Sequence, residues 1–420
     1  MKKSNIPFVG LHAHSVAGSP FDALGYPQDH MDYAYENGCE ALALTDHGNM
    51  NGLAYQIMHA KKMKAEGKDI VAENNLIGHA DFQIKFTAAL SAGERVDVAN
   101  IDLINVPYYA AVGALEDMTD YLKEQSYYGQ LNKAMLALGT HDGQHFAAPN
   151  AADVSGFVYN KKLLKEYGFD GPPKNYAEML TMCKAFAGKD KYFMAWPGAN
   201  YGGMIFTGMP MGWANGGSWV SKDGSKAEIN HPKTREWFAH YVEMINMGCV
   251  PKNVSSWQWG DKQDAFLAGD VAMIGTGNFM INLVKEHLDK VDPGFTAFFS
   301  KDGSRNSAFV GGDLIAIPVT TGNKEAALEY INYVLSPEGQ IEVYTKNGGI
   351  PIRSDLFDNN PYLTEDHLIF ARASSVGDVP YTPVYQELMD PWLSANQRIF
   401  AGEDIDTVLA EENAKMQRVI

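Results

Sequence analysis

Short apolar stretches alternate with amphipathic stretches along almost the whole chain, and this alternation predicts an α/β fold. Two further observations agree with it. The chain has 420 residues, enough for two or three domains or for one large two-lobed body with a sizeable core. Hydrophobic residues make up 45% and charged residues 20%, the balance of a globular rather than a disordered chain.

The elements follow in order. Residues 6–14 read as a short buried strand (Ile6, Phe8, Val9, Leu11) that ends at His12 and His14. Residues 26–38 read as a helix closed by Gly38, and 39–45 as a second strand, apolar nearly throughout, as in a parallel sheet covered on both faces. Residues 51–68 form a helix with Leu53, Ile57 and Met58 on one stripe and lysines in its last turns, and 69–75 a short strand. Asp81 caps and Gly93 closes a helix over 81–94; a strand follows at 96–104 and helices at 119–125 and 131–138. In "THDGQHF" the Asp142–Gly143 pair reads as a turn rather than as part of a metal or base site with His141 and His145. Amphipathic helices are expected within 172–188 and 231–248, a strand over 309–320 with Pro318 at its end, two helices over 323–347 with Ser336 capping the second, and a last helix over 404–420. No internal repeat and no low-complexity linker is expected.

Composition excludes some functions. A net charge of -17 repels phosphate backbones, so no nucleic-acid partner is expected, while neutral ligands are unaffected. Cys39, Cys183 and Cys249 are too far apart for a ribbon or redox motif and read as buried thiols, although one disulfide among them is open. Lys2 and Lys3 are not followed by an apolar run of the length of an export signal, so the chain as written is expected to be soluble and without an export instruction.

Tryptophan is concentrated: Trp196, Trp213, Trp219, Trp237, Trp257 and Trp259, six of the seven, fall within 196–259. Sugars present hydroxyls and one apolar ring face, so a sugar site needs flat aromatics for stacking and planar polar groups for paired hydrogen bonds. Two tryptophans flank Gly216 and Gly217 in "WANGGSW", where backbone can approach a ligand, and alternation in "WQW" would place Trp257 and Trp259 on one face of a strand. Trp237, on an amphipathic helix, reads as core.

From about residue 70 onward the chain resembles the extracellular solute-binding proteins of ABC transporters, carbohydrate class, the class of maltose-binding protein. The resemblance rests on ordered blocks: "DFQIKFTAALSAGERVDVANID", "GFVYNKKLLKEYGFDGPPKNYAEML", "AFLAGDVAMIGTGNF", "GGDLIAIPVTTGNKEAALEYINYVLSPEGQ" and "NGGIPIRSDL". It implies a type II periplasmic-binding-protein-like fold, two α/β lobes with a hinge and an interlobe cleft that closes on a mono- or oligosaccharide. It also implies a periplasmic or extracellular location, a membrane permease as partner, no required cofactor and no enzymatic activity. The ligand-binding residues expected on this basis are Trp213, Gly217, Trp219, Trp257, Trp259, Gly277, Asn278, Gly311, Gly312, Asp313 and Arg353, with Phe279 standing where the family carries an aromatic after Gly277–Asn278.

Residues 6–69 resemble instead the opening of a PHP (polymerase and histidinol phosphatase) domain, through "LHAHS" and "LTDHGN". That resemblance implies His12, His14, Asp22 and His47 as ligands of a single divalent metal, Zn or Mn. The later metal motifs of that family are missing, so the alternative function, a metal-dependent phosphoesterase fragment, is expected to be inactive. The chain thus reads as chimeric: an appended PHP-like strand and helix at 1–38, an N-terminal lobe from 39–150 and 263–312, and a C-terminal lobe from 151–262 and 313–420. Residues 39–75 are expected to supply the first βαβ unit of the N-terminal lobe, with strand 41–46 beside the strand containing "DVANID".

Overall fold

The computed structural model describes residues 8–10, 39–42, 79–358 and 360–420. The chain divides into two compact units, Met1–Val98 with Thr320–Tyr344, and Ala99–Val319 with Thr345–Ile420. These are not the boundaries expected from sequence.

In the smaller unit, β1 (Phe8–Gly10) and β2 (Cys39–Leu42) pair in parallel, as their apolar runs suggest. Strand β2 pairs with β1, and the "ANID" strand pairs within the other unit; most of the expected strand 41–46 lies outside the described residues. Helix α1 (His79–Ser91) lies where the capping signals put it, give or take two residues. Asp97 ties the two segments of this unit, accepting from the Thr321 hydroxyl at 2.9 Å and the Gly322 N–H at 2.8 Å. Ser336 caps the turn after the Lys324–Leu335 helix by accepting from the Gly339 N–H at 3.0 Å.

The larger unit is built on a six-stranded sheet. Its strands are β3 (Ala99–Asp102), β6 (Ala147–Asn160), β7 (Tyr192–Ala195), β8 (Val271–Gly277), β9 (Pro293–Thr296) and β12 (Val310–Ala316). Two hairpins stand apart from it, β4 (Thr140–His141) with β5 (Gln144–His145), and β10 (Phe298–Phe299) with β11 (Asn306–Ser307). The order is β3-β12-β6-β8-β7, with β9 also on β6. Strand β6 is the spine: its first half pairs with β12 and its second half with β8 and β9. The Asp142–Gly143 turn closes the first hairpin with both residues at positive φ (48° and 80°), so the turn reading of "THDGQHF" holds. The pentapeptide Ser-Lys-Asp-Gly-Ser occurs at 221–225 and again at 300–304. In both copies the aspartate (Asp223, Asp302) accepts from both serine hydroxyls and from the second serine's N–H, so the same five residues make the same turn twice.

The core beside the sheet is aromatic. Helix α2 (Pro232–Met247) has Pro232 in its first turn and stops at Gly248, φ 73°. It buries Trp237, Phe238, Tyr241 and Met244 against α3 (Met389–Phe400), where Trp237 stacks on Trp392 at 6.0 Å between ring centroids. Trp196, Trp219, Trp237 and Trp392 are each at most 2% exposed, so four of the seven tryptophans are core. Cys183, on the Tyr176–Phe186 helix, and Cys249, two residues past the end of α2, are joined in a disulfide with Cα atoms 5.2 Å apart. The expectation of three buried thiols is therefore corrected for this pair. Their 66-residue separation hides a contact that only helix packing creates.

Closing a loop of that length removes denatured-chain entropy equivalent to about 4 kcal/mol in the loop-entropy description. Reduction is expected to lower the urea midpoint substantially, and a non-reduced peptide digest to contain a fragment linking Cys183 to Cys249. A midpoint indifferent to reductant would show that the bridge adds nothing to stability.

Candidate functional site

Strands β3, β12 and β6 lie side by side, and their register decides what meets. Asp102 sits opposite Asp313 across β3 and β12, and Gly311 opposite Asp153 across β12 and β6. Alternation puts Asn100, Asp102, Gly311, Asp313 and Asp153 on one face. The other face carries Ile101, Leu314 and Val154, all buried. Side chains in this row are tied together where they can be. Asn100 donates to Asp313 Oδ2 at 2.8 Å, Asn150 donates to Asn100 Oδ1, and Asp102 Oδ1 accepts from the Ile104 N–H at 3.2 Å. Asp153 Oδ1 is shut off from solvent and accepts no hydrogen bond.

Three carboxylates on adjacent strands repel, and burial weakens their hydration. Burial pushes the Asp153 carboxyl up to about 7, and the charge of Asp102 adds to the shift. Burial also pushes Asp313 up to about 7; Asp102 and Asp153 add to this, while the bond from Asn100 opposes it. Neighbouring groups of this kind take up and release protons as a set.

Aromatic rings stand over this row. Phe206 lies on the Tyr201–Thr207 helix, Trp259 opens the Trp259–Leu267 helix, Phe279 follows β8, and Phe309 precedes β12. They form a chain of contacts: Phe309 to Phe206 at 5.5 Å, Phe206 to Trp259 at 6.0 Å, and Trp259 to Phe279 at 6.0 Å. Two glycines let rings and carboxylate converge. A Cβ on Gly277 would collide with the Phe279 ring and lie 2.9 Å from Asp153 Oδ1; one on Gly311 would lie 3.4 Å from the Phe206 ring and 3.1 Å from the Asp153 carbonyl. Gly312, at φ 118°, leaves no room for a Cβ against the Ala151 carbonyl. Phe279 remains 37% exposed and Tyr201 42%, so both rings can meet a ligand. Beneath Trp259, the fully buried Lys262 amine lies 3.5 Å from the ring centroid and donates to the Gly275 carbonyl at 2.5 Å. Burial holds this amine well below its usual range.

The remaining sequence-predicted site residues fall in different places. Gly277, Gly311, Gly312, Asp313 and Trp259 belong to this assembly. Trp257 is half-buried, and its carbonyl accepts from the Ala199 N–H at 2.9 Å. The "WQW" segment is not a strand, because Trp257 ends a single 3-10 turn and Trp259 begins a helix. Trp213 stacks on Phe309 at 6.0 Å and lines an open groove of about 830 Å³ with Phe295, Arg305 and Arg372. Trp219 is fully enclosed, edge-on to Tyr385 and Trp392, and is left out of the site. Gly217 packs against Thr234 and closes the turn after the Met209–Ala214 helix. Asn278 is a tie, with its Oδ1 accepting from the Val154 N–H and its Nδ2 donating to the Gly348 carbonyl. Arg353 is buried, paired with Asp355 at 2.6 Å and lying over the Tyr127 ring at 4.5 Å. His12, His14, Asp22 and His47 lie outside the described residues. Among the described residues no group of three His, Cys, Asp or Glu side chains is arranged to hold a metal ion.

Sequence reasoning passed over Asp102, Asp153 and Phe206. The signal for the acids was a lone carboxylate inside an otherwise apolar strand, "ANID" and "AADVSGF".

The sequence pattern of the family described as bacterial extracellular solute-binding protein matches residues 60–371. A protein of Brucella abortus (strain 2308), described as a binding protein, is 25% identical over 373 residues, spanning 86% of this chain and 88% of its own. The diacetylchitobiose binding protein DasA of Streptomyces coelicolor is 27% identical over 320 residues, 73% of this chain and 71% of its own. The crystal structure of the cyclic alpha-maltosyl-1,6-maltose binding protein of Arthrobacter globiformis superposes with a TM-score of 0.77 at 20% identity, covering 99% of both chains.

The carboxylate row generates a prediction. A carboxyl with a higher pKa folded than unfolded favours the folded state in its neutral form. That advantage is complete below the usual carboxylate range near 4 and is lost as pH rises through about 7. Asp153→Asn and Asp313→Asn are therefore expected to stabilise the ligand-free protein at pH 8 by about 1–2 kcal/mol each, and by much less at pH 5. Denaturation midpoints of both variants at the two pH values check this; equal effects at both would mean the acids are not held neutral.

Proposed function

The chain belongs to the bacterial extracellular solute-binding proteins, and from that premise we propose that it captures a carbohydrate over the β3-β12-β6 face and passes it to the membrane permease of an ABC transporter. The observation that carries the reading is the convergence of the Phe206 and Phe279 rings with the Asp153 and Asp313 carboxylates over Gly277 and Gly311. Flat rings suit the apolar face of a pyranose, and carboxylates and amides suit its hydroxyls. Two relatives named for saccharide ligands, the diacetylchitobiose and the cyclic maltosyl-maltose binding proteins, support the class of ligand. The Cys183–Cys249 disulfide suits a protein that works outside the reducing cytoplasm. Among the described residues no helix is long and apolar enough to cross a membrane, so the route across it belongs to the partner in this reading.

The test is calorimetric titration of the purified protein with a panel of mono- and oligosaccharides, maltotriose and diacetylchitobiose included. At least one saturable ligand is expected, and Phe279→Ala is expected to weaken it about tenfold or more through loss of stacking. A panel without a single saturable ligand would refute the carbohydrate reading.

A further inference from the structure

Asp153 and Asp313 are diagonal neighbours on one face of the β6–β12 pair, which sets their Cβ atoms about 7 Å apart. Asp313 accepts one bond, from a neutral amide, and Asp153 Oδ1 accepts none. Neither carboxylate is ion-paired with any described lysine, arginine or histidine. Buried carboxylates in proteins ordinarily find a cation or several donors. Here the neighbouring groups add negative charge, since Asp102 lies directly across from Asp313. The Phe279 ring borders Gly277 beside Asp153 and the Phe206 ring borders Gly311, and aromatic rings attract cations as well as stacking on sugar rings. A neutral hydroxyl satisfies a lone pair but leaves the repulsion intact. An ammonium offers three donors and cancels charge.

We propose that the carbohydrate taken by this site carries a free amino group, held as an ammonium between Asp153 and Asp313 beside the rings of Phe206 and Phe279. This rests on the carbohydrate reading above and narrows it to amine-bearing sugars. The site distinguishes such a ligand from its N-acetylated form, because acetylation removes the charge and two of the three donors and adds bulk where Gly277 and Gly311 keep the floor close.

The test uses the full chain near pH 7 and two sets of sugars that differ at nitrogen only: glucosamine, N-acetylglucosamine and glucose; chitobiose, diacetylchitobiose and cellobiose. Calorimetry is expected to show the amine of at least one set binding about tenfold or more tighter than both of its partners. Asp153→Asn, which is expected to fold at least as stably as the parent, should reduce that preference to about twofold or less, and Asp313→Asn should act in the same direction. The proposal is overturned if the acetylated or hydroxyl form binds as tightly as the amine, or if the preference survives both substitutions. A neutral sugar from the wider panel that binds while neither amine does also overturns it, and leaves the carbohydrate reading standing. No binding by any sugar overturns both.

Discussion

The site depends on one constraint, the pairing of Gly311 with Asp153 within the long strand β6. That strand runs unbroken for 14 residues and serves different neighbours at its two ends. It cannot slip by one residue without turning Val154 outward and Asp153 into the apolar layer. The acids are thereby fixed in position by an apolar register on the opposite face. Because Gly311 has no side chain, the space above it is filled by what approaches from outside the sheet: the Phe206 ring, and a ligand.

Such an arrangement is held at a cost, and the surrounding structure offsets it. Lining up carboxylates across antiparallel strands destabilises the empty protein, and the bond from Asn100 to Asp313 offsets only part of this. Stability comes instead from the aromatic core around Trp237 and Trp392, from the bridge between Cys183 and Cys249, and from the apolar back of the sheet. Lys262 belongs to the same logic. A buried amine is costly, yet the Trp259 ring above it and the Gly275 carbonyl beside it give it two partners, and together they hold an aromatic group of the site to strand β8.

How much of this was legible in the sequence varies by element. The α/β class and the strands around "ANID" and "GGDLIA" follow from apolar runs and turn residues, and Asp142–Gly143 announces its turn by composition. Asp313 and the glycines beside it were singled out from the resemblance and because two glycines suit close backbone approach and a carboxylate suits hydroxyls. The tryptophan cluster misled in part. Nearness in sequence put Trp219 together with Trp259, but burial separates them: Trp219 is enclosed against Tyr385 and Trp392, and Trp259 meets Phe206 and Phe279. Asp102 and Asp153 were missed because strand register is a tertiary fact. Nothing local in either segment says that the two acids will come to neighbour the same strand. The disulfide was hidden for the same reason, as its partners meet only when two helices pack.

The two classes of aromatic residue in the larger unit separate binding from folding. A ring in the core is contacted on both faces, and its worth is area removed from water. Trp196, Trp219, Trp237 and Trp392 are of this kind. A ring in a binding site must keep one face free while the other is supported, or it collapses onto its neighbours. Phe279 meets that condition, being packed over Gly277 and Asp153 on one side and more than a third exposed overall. Its neighbours are Gly277, which has no side chain to cover the ring, and the Trp259 ring beside it. In the proposed site, stacking and charge recognition would act side by side, so that a ligand engaging one is brought within reach of the other.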